Sequence, residues 1–292
     1  MSGEPDNKKM FGFLNIYKPV GMTSHDVVAV LRRLTKIKQI GHTGTLDPFA
    51  EGVLPVCIGK ATRLIEYLKD DKEYLATVQF GASTNTFDVD GQVVSTSEKK
   101  VSHRDVENCL KSFEGEISQL PPIFSAIKVK GKKLYEYARK GEEVEIQPRK
   151  VFIEKIEQKS FDENLQQAEI LIKCSKGTYI RSIAHDLGQK LGCGAHLVKL
   201  VRTQAGSFRV EKSVKLDEIN VDENLINPLD VLDLPKIEVI EEDLSLIKNG
   251  MPIKLNQNVK IGNFVVLIYN NVEICAVGIA DGDKIKLKKV FL

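Results

Sequence analysis

The chain has 292 residues, 42% apolar and 28% charged, the proportions of an ordinary globular protein that can bury one large domain or a large domain with a small appendage. No run approaches the roughly 20 apolar residues of a membrane helix, and the polar start MSGEPDNKKM lacks the apolar segment of a secretory signal, so a cytoplasmic location is expected. The net charge of +2 hides an asymmetry. Residues 217–243 hold ten acids against one base, a balance of −9 that leaves +11 on the rest, which suits a polyanionic partner such as nucleic acid.

In chain order, residues 11–20, FGFLNIYKPV, alternate and end near a proline, so a short strand is expected. Thr23 or Ser24 can cap the following helix, where Val27, Val28, Leu31 and Leu34 recur at helical spacing. Residues 73–80, EYLATVQF, read as a strand, and TFDVDGQVVS as a hairpin turning at Asp90-Gly91. The D-V-D-G run lacks the third acid and terminal Glu of a calcium loop. A helix is expected over 104–113. Residues 125–150 then combine eight bases and four acids with Tyr135 and Tyr137, a composition suited to gripping RNA or to a solvated hairpin.

Residues 168–174 read as a buried strand, and Ile183, Ala184, Leu187 and Leu191 as one face of a helix. The acidic stretch with Pro228 and Pro235 reads as a connection. From about Pro235 short strands at 253–255, 264–269, 274–279 and 285–290, separated by Asn- and Gly-rich turns, suggest a small β-barrel of about 55 residues. Five cysteines, odd in number and without a C-x-x-C pair, argue for buried thiols rather than disulfides or zinc.

The stretch GHTGTLDPFAEGVLPV, 41–56, carries the chemical interest. Its glycines permit close approach to the backbone, and Pro48 keeps Asp47 out of helical geometry. The carboxylate is thereby displayed from a loop anchored by the apolar run that follows. An Asp-Pro pair is also a common turn, and the residues alone leave both readings open.

In order along 11–208 stand N-I-Y-K-P-V-G-M-T-S-H-D-V-V (15–28), the 41–56 stretch, K-A-T-R (60–63), E-Y (73–74) and T-N-T-F-D-V-D-G (84–91). P-P-I-F-S-A-I-K-V-K-G-K-K-L-Y-E-Y-A-R-K-G (121–141), K-G-T-Y-I-R-S-I-A-H-D-L-G (176–188) and G-A-H-L-V-K-L-V-R-T (194–203) follow. With these eight collinear motifs the sequence resembles the TruB family of tRNA pseudouridine synthases, which isomerise uridine 55 in the T-loop of tRNA.

The resemblance implies an α+β catalytic domain with a mixed, largely antiparallel central sheet over 1–232. It further implies an RNA-gripping thumb at about 125–150 and a PUA-like RNA-binding barrel over 233–292. It implies that Asp47 is the catalytic residue of a reaction that breaks the C1′–N1 bond, turns the uracil and forms a C1′–C5 bond, with no cofactor or metal. Arg181 is implied as the ion-pair partner of Asp47, and an arginine there favours the carboxylate's charged form. Tyr74 is implied to stack on the extruded uracil and to assist proton transfer at C5, Tyr179 to orient Arg181 or line the base site, and His42 to fill the space the flipped nucleotide leaves. Lys18 and Leu200 match positions near the pocket. The expected partner is the T-arm of tRNA, engaged by a monomer. Two other readings share parts of this pattern: a guide-dependent pseudouridine synthase subunit and a non-catalytic tRNA-binding chaperone. A glycosidase is disfavoured, because that chemistry ordinarily needs a second carboxylate.

Overall fold

The computed structural model describes residues 10–255 and 259–292, so most of the polar N-terminal stretch, residues 1–9, lies outside it. Among the described residues no helix is long and apolar enough to cross a membrane. The strand Lys72–Phe80 buries every second side chain, Tyr74, Ala76, Val78 and Phe80, and Gln167–Cys174 does the same with Ala168, Ile170, Ile172 and Cys174. The two pair antiparallel, with Tyr74 opposite Ile172 and Val78 opposite Ala168. Their apolar faces therefore coincide, as the period-2 alternation of a strand requires. The helices His103–Leu110 and Ile180–Leu191 cover this face through Val106, Leu110, Ile183, Ala184 and Leu187.

Around these strands, ten strands among the described residues form one sheet. Its main path runs Val214–Lys215, Gly12–Lys18, Glu51–Ile58, Ala195–Ala205, Lys72–Phe80, Gln167–Cys174, Arg149–Asp162, Gly115–Gln119. Only the contacts of Gly12–Lys18 with Val214–Lys215 and of Glu51–Ile58 with Ala195–Ala205 are parallel. The mixed, largely antiparallel sheet expected from the resemblance is present.

The helix Ser24–Thr35 is capped by Thr23, not Ser24: Thr23 Oγ1 accepts from the Asp26 amide at 3.1 Å, and the Thr23 amide donates to Asp26 at 2.8 Å. This reciprocal capping box leaves Ser24 free to turn inward. Val27, Val28 and Leu31 are buried as their spacing predicts, whereas Leu34 is exposed. The expected hairpin also differs in its turn. Strands Ala82–Thr84 and Val93–Thr96 are joined by a loop closed where the Asn85 amide donates to the Gln92 carbonyl, so Asp90-Gly91 lies inside a longer connection.

Residues 125–150 contain a ribbon of Lys128–Val129 and Lys132–Lys133 followed by the helix Leu134–Lys140. The C-terminal segment forms a curled five-stranded sheet ordered Lys236–Glu238, Phe264–Tyr269, Glu273–Asp281, Lys284–Val290, Ile253–Lys254, flanked by the helix Glu241–Lys248. The first strand and the helix lie within the region from about Pro235 read as the barrel, ahead of the first strand expected there at 253–255. Within the acidic stretch Pro228, Leu229, Val231 and Leu232 are buried. Leu229, Val231 and Leu232 join Phe13, Val53 and Leu64 of the body and Val266, Val277 and Phe291 of the C-terminal sheet in one apolar cluster. The K-A-T-R motif serves this junction: Arg63 Nη1 donates to the Val290 carbonyl at 2.7 Å, and its guanidinium lies 5.3 Å from the Phe291 ring centre.

Candidate active site

The loop carrying Asp47 is tied down from three separate segments. Lys18, fully buried on the first strand, directs its ammonium to the carbonyls of Pro19 (2.8 Å), Met22 (2.7 Å) and Pro48 (3.3 Å). Ser24 exchanges two hydrogen bonds with Leu46: its hydroxyl donates to the Leu46 carbonyl at 3.2 Å and accepts from the Leu46 amide at 2.9 Å. Arg202, fully buried on the strand Ala195–Ala205, donates to the carbonyls of Val53 (2.6 Å), Thr45 (3.3 Å) and Gly44 (3.1 Å). Buried cations and carbonyls are costly without partners, so these contacts define the loop conformation. Gly52 is required by the same arrangement: its φ is +105° and a Cβ there would overlap the backbone of Arg202.

Asp47 projects from this loop with its carboxylate partly accessible and meets Arg181, whose side chain is buried at 6% exposure. Arg181 Nη2 donates to Asp47 Oδ1 at 3.2 Å, while Nε lies 3.0 Å from Oδ2 as an ionic contact off the N–H axis. The other edge of the guanidinium is also occupied. Nη1 lies 3.3 Å from Asp88 Oδ2 and donates to the Thr86 carbonyl at 3.2 Å, and Nη2 donates to the Phe124 carbonyl at 3.0 Å. Arg181 therefore bridges two carboxylates, and a planar fork of donors is the group suited to that task. Burial pushes the Asp88 carboxyl above its usual range, against the opposing pull of the Thr86 hydroxyl and Arg181. Asp88 was not among the expected site residues, D-V-D-G being read as part of a hairpin turning at Asp90-Gly91.

Asp47, Tyr74, Tyr179, Arg181 and Leu200 line one cleft of about 660 Å³. Tyr74 and Leu200 form its buried floor, at 6% and 4% exposure. Burial pushes the Tyr74 hydroxyl up to about 12, so it remains a phenol at neutral pH. Tyr179 caps the helix that bears Arg181, and the Gln119 side chain clamps its backbone through bonds of 2.8 and 3.0 Å. Ser125, Ala126, Lys133 and Tyr135, from the basic segment 125–150, close another side of the cleft. Lys72, Lys133, Lys176 and Arg181 face Asp47 as the cleft's only carboxylate among the described residues, a balance that favours a polyanion.

Two expected site residues lie elsewhere. Lys18 sits beneath the loop, and burial lowers its ammonium to about 8 despite the nearby Asp47. His42 lies behind the cleft wall, with its ring edge-on to that of His25 at 5.4 Å and its Nδ1 buried without a partner among the described residues. Burial, then the neighbouring His25 and Arg202, push its imidazole down to about 4, so it is neutral at physiological pH.

The fold that carries this cleft has parallels among solved structures. The fold superposes on the structure of an H/ACA ribonucleoprotein bound to a substrate RNA containing 2′-deoxyuridine, with a TM-score of 0.73, 25% identity, and coverage of 100% of this chain and 92% of that one. A Cbf5-Nop10-Gar1 complex gives a TM-score of 0.72 at 27% identity, with 100% and 91% covered. Residues 32–180 match the N-terminal domain of TruB family pseudouridylate synthases, and residues 181–232 the tRNA pseudouridylate synthase B C-terminal domain. The tRNA pseudouridine synthase B of Caldanaerobacter subterraneus subsp. tengcongensis is 45% identical, with 96% of this chain and 99% of that protein covered. The protein of the same name from Clostridium tetani is 41% identical, with 97% and 100% covered. The chain belongs to the TruB family of pseudouridylate synthases.

Proposed function

We propose that this protein isomerises uridine to pseudouridine in tRNA, at position 55 of the T-loop, with Asp47 as the essential carboxylate. The observation that carries this reading is the ion pair of Asp47 with Arg181 at a cleft whose other charged lining groups are cations. A uridine held in a folded T-loop must leave the stack to enter such a cleft, at a cost of a few kcal/mol. The phenol ring of Tyr74 then offers a face for the extruded base, and Leu200 completes the apolar floor. Arg181 fixes the direction of the Asp47 carboxylate toward the sugar–base bond, a positioning effect of the kind that intramolecular reactions exploit. Lys133 and Tyr135 bring the thumb over the T-arm backbone, while His42 turns out of its packing against His25 to enter the space vacated by the base.

The C-terminal sheet acts as a PUA-like RNA-binding unit over 233–292, beside a catalytic unit over 1–232, in a cytoplasmic monomer. An unmodified tRNA transcript incubated with the protein alone tests the reading through carbodiimide labelling and primer extension. A stop specific to position 55 supports it, and modification that appears only when a guide RNA is added would replace it with the guide-dependent reading.

A further inference from the structure

Three consecutive loop residues grip two side chains of one helix. Arg181 and His185 are four residues apart on the helix Ile180–Leu191, and so share a face one turn apart. Thr86 accepts from Arg181 through its carbonyl, Asp88 pairs with Arg181 through its carboxylate, and between them the Phe87 ring lies on the His185 ring, centres 3.9 Å apart and planes at 18°. Phe87 adopts φ +65°, a left-handed conformation that is strained for a non-glycine residue. The Leu197 amide holds that turn by donating to the Phe87 carbonyl at 3.0 Å. The His185 ring contributes only its face: its Nδ1 is buried without a hydrogen-bond partner among the described residues.

We propose that Phe87 and His185 are positioning residues whose ring stack holds the 86–88 loop against the helix and so keeps Arg181 aligned on Asp47. The proposal rests on the assignment of Asp47 and Arg181 to the reaction centre. Arg181 takes two of its contacts from the loop that the stack secures, so loosening the stack frees one edge of the guanidinium. Misplacement of about 1 Å can cost up to about 100-fold in rate.

Glycine accepts the left-handed φ without strain. Phe87→Gly therefore removes the ring without a backbone penalty, and His185→Phe keeps a flat partner while deleting the orphaned nitrogen. Wild type, Phe87→Gly, His185→Ala and His185→Phe are compared by single-turnover isomerisation of a T-arm minihelix, RNA affinity, thermal midpoint, and hydrogen exchange of the Arg181 Nε–H by 15N NMR. Phe87→Gly and His185→Ala are expected to slow isomerisation and speed Nε–H exchange by about tenfold each, with RNA affinity retained and His185→Phe restoring both. Wild-type rates and exchange in the first two variants would overturn the proposal. Losses that follow the thermal midpoint and are not restored by His185→Phe would do the same. A wild-type protein that isomerises nothing would instead overturn the reaction-centre assignment, while Nε–H exchange still decides whether the stack holds Arg181.

Discussion

Arg202 and Gly44 are 158 positions apart in the chain, yet the Arg202 guanidinium donates to the Gly44 carbonyl at 3.1 Å. The same group binds the Thr45 and Val53 carbonyls and is fully buried, so one side chain on a central strand defines both ends of the loop that displays Asp47.

Replacing Arg202 by methionine leaves three carbonyls without that donor, and a buried unsatisfied group costs about 1–3 kcal/mol. Allowing for relief from burying the charge, a net loss of about 3 kcal/mol is expected. It would appear as a lower urea midpoint at unchanged slope. Arg202→Lys can satisfy only part of the fork and falls between the two. A midpoint equal to wild type in Arg202→Met would contradict this role.

His42 gives a pH dependence of defined sign. Its folded-state value of about 4 lies below the ordinary 6.5, so between those values the unfolded chain binds the proton more readily. The stability linked to His42 is complete above pH 6.5 and is lost as pH falls towards 4. The loss is at most about 3 kcal/mol. Chemical denaturation from pH 7 to 4 should show a shallower decline for His42→Gln, and parallel declines would exclude the linkage.

Asp88 balances the far edge of Arg181. Asp88→Asn preserves shape but removes the second carboxylate, and the guanidinium is then free to rotate away from its present alignment on Asp47. Single-turnover rates should fall by about 10- to 100-fold, since the loss is one of orientation, while RNA affinity is retained. Unchanged rates would show that Asp47 and the Thr86 and Phe124 carbonyls hold Arg181 without the Asp88 carboxylate.

Which of these features could be read from the sequence depends on whether their signal is local. The strand Lys72–Phe80 and the helix Ile180–Leu191 announce themselves by periodicity, because each has one buried and one exposed face. Asp47 is conspicuous between glycines and a proline, and its pairing with Arg181 follows from the family motifs. Asp88 has no such signal. In T-F-D-V-D-G two aspartates look alike, and it is the distant Arg181, the local Thr86 hydroxyl and the Asp90 amide that select Asp88 for burial. Lys18 and Arg202 counted as surface charge in any composition argument, since a cation satisfied by backbone carbonyls leaves no mark in sequence.

The C-terminal differences have a similar origin. Lys236–Glu238 is only three residues long and becomes a strand through parallel pairing with Phe264–Tyr269. The helix Glu241–Lys248 was hidden because its acidic first turn resembled the rest of the acidic stretch. Acids at a helix start are in fact favourable to the helix dipole. Leu229, Val231 and Leu232 are buried by elements on either side of them, which no pattern within the stretch reveals.

In the proposed reaction Asp47, held by Arg181, is the essential carboxylate. Tritium release from a T-arm minihelix carrying [5-³H]uridine tests it most directly, comparing wild type with Asp47→Asn after confirming that both bind the RNA. Stoichiometric release by wild type and none by Asp47→Asn are expected at equal RNA occupancy. Release by Asp47→Asn at the wild-type rate would contradict it and return Asp47 to the role of a turn residue.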